Sequence, residues 1–151
     1  MSVRETLAAA GHTLPGPAVP VGAYLPAVRS GALVFTSGQI PMREGALLAS
    51  GVVGENVGEE AARACAVQST LNALAAASTV CSLDDVVRVV KVVGYVASAP
   101  GYTAQPRVID AASETLVAAF GDAGRHAREA VGVMCLPLGA PVEISLVLEV
   151  R

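Results

Sequence analysis

The chain has 151 residues, 10 Lys and Arg against 13 Asp and Glu for a formal charge of -3, no Trp, and only three Tyr and two Phe. That length predicts a single domain over 1–151, large enough to bury a core without disulfide or metal staples. The acidic balance and the lack of a basic run exclude the electrostatic footprint of a nucleic-acid binder, and the Ala-rich stretch is interrupted by Arg63, Gln68 and Asn72, so no membrane span is expected.

In chain order, Ser2 with Glu5 three residues on has capping-box spacing and predicts a short helix to Ala10, closed by Gly11. The first ten residues lack the charged start and apolar run of a signal peptide, so a cytoplasmic protein is expected. Leu14 to Pro20 holds three prolines and reads as an irregular lead-in. Tyr24–Val28 and Ala32–Ser37, turned by Arg29-Ser30-Gly31, predict a β-hairpin, followed by Gly-rich loop or edge structure over Arg43–Gly54. Asn56 as N-cap, with Glu59 three residues later, predicts a helix to about Thr79 with a narrow small-residue face of Ala61, Cys65, Leu71, Leu74 and Ala75. The Val-rich run Val86–Val96 predicts a strand buried on both faces. Gln105–Phe120 carries one apolar stripe and predicts a second long helix, stopped by Gly121 and Gly124. Two last strands are expected at Arg128–Leu136 and Pro141–Val150. The order ββαβαββ implies an α+β domain with helices on one face of a single sheet.

Few residues offer chemistry. Arg128 and Glu143 stand in otherwise apolar strands, where a charge is costly unless paired or used. Arg128 is either a strand-end arginine or a guanidinium fork for a carboxylate. Glu143 is either the polar face of an edge or a group that positions water. Ser37-Gly38-Gln39 closes a strand, and a glycine there allows a ligand close to the backbone; it equally makes a plain turn. Tyr24 and Tyr102 either wall a pocket or pack in the core. His126 is a loop histidine that titrates near neutrality if it faces a site, and Lys91 reads as a snorkelling edge residue. Cys65, Cys81 and Cys135 are odd in number and share no short spacing, which predicts reduced thiols and no metal site.

Several segments together resemble one family. Phe35-Thr36-Ser37-Gly38-Gln39-Ile40-Pro41 is similar to the strand-end SGQIP motif of the RidA (YjgF) family. Ala127-Arg128-x-x-Val131, Leu136-Pro137 and Val142-Glu143-Ile144 resemble its ARxxV…LP…VEIE signature, and the likeness runs from Tyr24 to Val150. The resemblance implies a chorismate-mutase-like fold, a mostly antiparallel six-stranded sheet with two helices on one face, assembled as a homotrimeric barrel with ligand clefts between subunits. It implies hydrolysis of reactive enamine and imine acids, such as 2-aminoacrylate, to 2-keto acids and ammonia, without a metal or organic cofactor. By position, Arg128 would bind the substrate carboxylate and Glu143 would position the water. Tyr24, Ser37, Gly38, Tyr102, Ala130 and Pro137 would line the cleft.

The likeness is that of a divergent subgroup. Residues 1–22 form a divergent N-terminal extension, and 21–26 replace the family's IGPYS-like segment. No asparagine follows the central strand, residues 99–107 look longer, and Ala130 stands where a small polar or thiol residue is usual. An alternative reading is a non-catalytic trimeric binder of small carboxylates such as 2-keto acids. A third, endoribonuclease, is disfavoured by the negative charge, and neither a nucleic-acid nor a membrane partner is expected.

Overall fold

The computed structural model describes residues 1–151. A short helix α1 (Val3–Ala9) opens the chain, closed at its start by the reciprocal Ser2–Glu5 capping box that the spacing predicted. Its Leu7 is fully buried. Strands β1 (Ala27–Ser30) and β2 (Leu33–Thr36) form the expected hairpin, but β1 begins at Ala27 rather than Tyr24 and takes in Arg29 and Ser30, so that the turn is Gly31-Ala32 instead of Arg29-Ser30-Gly31. After a two-stranded ribbon, β3 (Met42–Arg43) and β4 (Ala46–Leu47), come α2 (Glu59–Ala77), β5 (Val86–Ala97), α3 (Gln105–Phe120), β6 (Ala127–Val133) and β7 (Val142–Val150).

The ββαβαββ order holds for the main sheet, whose strands run β1-β2-β7-β5-β6. The pair β5–β6 is parallel, joined across α3, and the other pairs are antiparallel. The sheet has five strands, not six. The segment after Pro41 folds back on itself instead of joining, because Glu44 and Gly45 both take left-handed backbone, at φ 52° and 83°.

β7 is the spine. Val142, Ile144, Leu146, Leu148 and Val150 alternate onto the face under α2 and α3, all at most 2% exposed. Residues 143, 145, 147 and 149 point to the other face, as a period of two demands. β5 keeps the alternation from Val92 to Val96, both buried with Val93 and Tyr95 half-buried between them, while a register shift between Val89 and Lys91 changes the phase so that Val89 is buried as well. The expectation of burial on both faces is therefore corrected: helices cover one side, and the other is left with exposed Val28, Leu33, Phe35 and Val131. Valine's β-branched shape suits either side, so composition alone could not tell them apart.

α2 departs from its expected start and face. Gly58 caps it, while Asn56 turns back and its Oδ1 accepts the Val52 N–H at 2.7 Å. From Gln68 to Ala77 every residue is buried, and Ala61 is exposed. The helix is wedged between the sheet, α3 and the β3 ribbon, so small residues serve on all sides.

Close approach of α3 to the sheet depends on glycine. A Cβ on Gly94, in the middle of β5, would lie 2.5 Å from Cδ1 of the fully buried Ile109. One on Gly132 of β6 would lie 2.6 Å from Gln105 Nε2. Gly94→Ala is expected to lower stability by about 1–3 kcal/mol through overpacking. Ile109→Val, which removes the nearest methyl, should recover part of that loss; denaturant midpoints of the single and double variants check it.

Candidate functional site

β6 presents Arg128, Ala130 and Gly132 to α3, since they pair with Val92, Gly94 and Val96 on the covered face. Above Arg128, α3 offers two polar groups at its margin. Arg128 Nη1 donates to Asp110 Oδ1 at 2.8 Å and to Ser113 Oγ at 3.2 Å. Those bonds fix the guanidinium plane and leave Nε and Nη2 without a protein partner. The Arg128 side chain is 24% exposed, so this free edge can meet a ligand while its stem stays packed. Two parallel N–H groups in one plane are the geometry that receives a carboxylate.

His126 joins the same group. Its Nδ1 lies 2.6 Å from the Gly124 carbonyl and its Nε2 lies 2.9 Å from Ser113 Oγ. A carbonyl only accepts, so Nδ1 carries the proton. Nε2 of the neutral ring then accepts the Ser113 hydroxyl. Gly124 is needed for this packing, because a Cβ there would strike the Leu116 carbonyl oxygen at 2.3 Å. Burial pushes the His126 pKa below its ordinary value; the Gly124 carbonyl opposes this, and the charge of Arg128 adds to it.

Glu143 lies elsewhere. It pairs with Tyr95 on the face away from the helices, on β7, with β5 between it and β6. Its carboxyl backs onto Gly38, where a Cβ would come within 2.8 Å of Cδ. It makes no ion pair, and burial raises its pKa. Within one chain, therefore, Arg128 and Glu143 project from opposite faces and do not meet.

The remaining sequence candidates scatter. Ser37 Oγ donates to the Leu25 carbonyl at 2.6 Å and its N–H bonds the Pro26 carbonyl, which ties down the segment bearing Tyr24. Tyr24 and Gly38 line a cavity of about 750 Å³ between the irregular N-terminal segment and α2. Tyr102 packs its ring against Gly54, and its hydroxyl is buried without a partner, so it faces no ligand space. Ala130 is half-buried beside Arg128, and Pro137 is exposed at the start of a tight turn. Lys91 pairs with Glu129 at 2.6 Å on the uncovered face, which agrees with an edge residue.

Sequence reasoning missed Asp110 and Ser113. Their signal was a polar i, i+3 pair bordering the apolar stripe of α3, where side chains three apart are neighbours. It also used Gln68 and Asn72 only to reject a membrane span. They are linked at 3.0 Å at the cavity floor, where Asn72 Nδ2 donates to the carbonyls of Ile40 and Met42.

The sheet with two long helices on one face and a guanidinium fork on its edge strand defines a chorismate-mutase-like α+β protein with a candidate anion site. The family model described as "YjgF/chorismate mutase-like, putative endoribonuclease" matches residues 4–150. The chain belongs to this YjgF/RidA family. It is 39% identical to Protein TCP17 of Trypanosoma cruzi, over 99% of this chain and 94% of that one. A crystal structure titled a putative endoribonuclease from Shewanella oneidensis MR-1 superposes with a TM-score of 0.94 at 30% identity, covering 99% of this chain and all of the other. RidA from the Antarctic bacterium Psychrobacter sp. PAMC 21119 aligns at 29% identity over 92% of this chain and 97% of its own, with a TM-score of 0.60. At comparable identity the backbone therefore follows the first structure much more closely than the second.

The depressed pKa of His126 sets a sign for stability. Its neutral form is favoured in the fold, so its contribution is complete above the ordinary imidazole value of about 6.5 and is lost as pH falls through the lower folded value. The difference in melting temperature between the wild type and His126→Gln should accordingly shrink as pH falls below about 6.5; a difference independent of pH would show that the ring is not held neutral.

Proposed function

We propose that this protein is a hydrolase of small 2-imino and enamine acids, converting species such as 2-aminoacrylate and its imine tautomer to 2-keto acids and ammonia. It works as a homotrimer with a cleft composed across two subunits. The observation that carries the reading is the half-buried Arg128, whose Nη1 is held by Asp110 and Ser113 while Nε and Nη2 remain open. That edge accepts the substrate carboxylate side-on. Glu143, carrying a raised pKa in a partly desolvated setting, has the character of a group that takes a proton from water and returns it to a leaving nitrogen. Because the two lie on opposite faces of one sheet, their joint use calls for Arg128 from one subunit and Glu143 from the next. The uncovered sheet face, with Val28, Leu33, Phe35 and Val131 exposed, supports such an assembly, since apolar faces of this kind are usually buried by association.

Imine hydrolysis asks little of a protein beyond a fixed carboxylate, an oriented water and timely proton transfer. The family's endoribonuclease label finds little support here: the charge is -3, and the nine arginines and one lysine form no basic run in the sequence.

Light scattering should give a trimer at micromolar concentration, and a stable monomer would remove the composite cleft. With 2-aminoacrylate generated in situ, the wild type should accelerate release of ammonia and keto acid. Arg128→Lys should fail, because a point charge cannot reproduce the fork, and Arg128→Ala should cost about 2–5 kcal/mol in keto-acid binding. Glu143→Gln should keep keto-acid affinity within about tenfold and lose about 10²-fold or more in rate. If the wild type binds keto acids yet leaves the spontaneous rate unchanged, the protein is a carboxylate binder rather than an enzyme.

A further inference from the structure

We infer that the cavity between the irregular N-terminal segment and α2 is a second binding site, for a small apolar molecule whose polar end is a neutral amide. It is separate from the candidate anion site, since neither Arg128 nor Glu143 lines it. Its floor is Gln68 and Asn72, each only 8% exposed. They stand four residues apart on α2 and so share one face of the helix.

A chain of hydrogen bonds fixes which way both side-chain amides point. Asn72 Nδ2 lies 3.0 Å from the Ile40 carbonyl and 2.9 Å from the Met42 carbonyl. Carbonyls only accept, so the nitrogen faces them and both of its hydrogens are used. Asn72 Oδ1 is thereby turned toward Gln68, which must donate, and Gln68 Nε2 lies 3.0 Å away. Gln68 Oε1 is left with no protein partner, and one Nε2 hydrogen is likewise unused. Thr70 and Thr115, by contrast, return their hydroxyls to carbonyls of their own helices. Gln68 therefore holds an acceptor and a donor on one pre-oriented, nine-tenths buried group. A ligand amide, which carries the same pair in reverse, matches it. A buried polar group left half-satisfied costs free energy, which such a ligand recovers.

The walls select against charge. Arg43 and Glu44 are the only ionised side chains that line the cavity; they are adjacent, exposed and opposite in sign. A carboxylate or an ammonium would lose hydration there and meet no buried counter-charge. Pro15, Ala18, Ile40 and Met42 supply apolar wall, and Val19, Val21 and Tyr24 line the cavity yet remain exposed. An apolar ligand body would take that surface out of water. The volume of about 750 Å³ lies within the span of about 300–1,000 Å³ usual for small-molecule sites. Gln68 also borders a smaller space of about 330 Å³, with Thr13 and Arg43 common to both, so it stands where the two adjoin.

The test uses 4-phenylbutyramide and 4-phenylbutyrate, which share an apolar body and differ at the amide. Each is titrated into the full-length protein by calorimetry, with the Ile40 and Met42 methyl signals followed by NMR. The amide should move those signals and bind about tenfold or more tighter than the carboxylate. Gln68→Met, which keeps the length and removes the amide, should weaken amide binding about tenfold and leave carboxylate binding within about threefold. Ala18→Trp, on the exposed segment, should weaken both by crowding the cavity. Arg128→Ala should bind the amide as wild type does. Equal affinity for the two probes, or wild-type amide affinity in Gln68→Met, would overturn the amide assignment. Loss of amide binding in Arg128→Ala would move the probe to the anion site, and no saturable binding would leave a space filled by water alone; either result overturns the second site. Should Gln68→Met not fold, Ala18→Trp decides, and unchanged amide affinity there overturns the site.

Discussion

Everything of interest here depends on how closely α3 can sit on the β5–β6 edge. Gly94 lets Ile109 reach the sheet, Gly132 makes room for Gln105, and Gly124 lets the chain after α3 pass against Leu116. Packed interiors transmit a methyl-sized displacement rather than absorb it. A bulkier residue at Gly94 or Gly124 would push against Ile109 or the Leu116 backbone and move Asp110 and Ser113 away from Arg128, whereas at Gly132 it would displace the end of the Gln105 side chain. The candidate anion site is thus a consequence of backbone approach as much as of the arginine itself.

The same seating sorts the charges. Arg128 grows from the covered face at its open edge, where Asp110 and Ser113 reach it. Glu143 grows from the uncovered face, backed by Gly38 and without an ionic partner. Burial moves His126 and Glu143 in opposite directions, the imidazole down and the carboxyl up, because desolvation disfavours whichever form is charged. The Glu143 carboxyl is thereby drawn toward neutrality, as carboxyls at working sites often are, while the His126 imidazole is moved further below it and kept uncharged.

Much of this was legible in one dimension. The Ser2–Glu5 box, the span Gln105–Phe120 and the alternating strand β7 follow from local spacing, because the forces that set them act within a turn or across one pleat. The strand count and the face of α2 were not legible. Glu44 adopts a left-handed backbone that its residue type does not announce, and α2 is surrounded by partners distant in sequence. Likewise Asn56 was read as a helix cap and serves instead to close a loop onto Val52; the same side chain suits either task.

The sequence by itself determined the α+β order, the family, and the identities of Arg128 and Glu143 as charges in apolar strands. Only the tertiary structure decided that these two face opposite ways, and that Asp110, Ser113 and His126 gather around the arginine. The reason is parity and register. A strand's side chains alternate, so whether two charges on different strands share a face depends on pairing through β5, which no local pattern encodes. The neighbours of Arg128 come from a helix 15 and 18 residues away, brought there by the glycines beneath it.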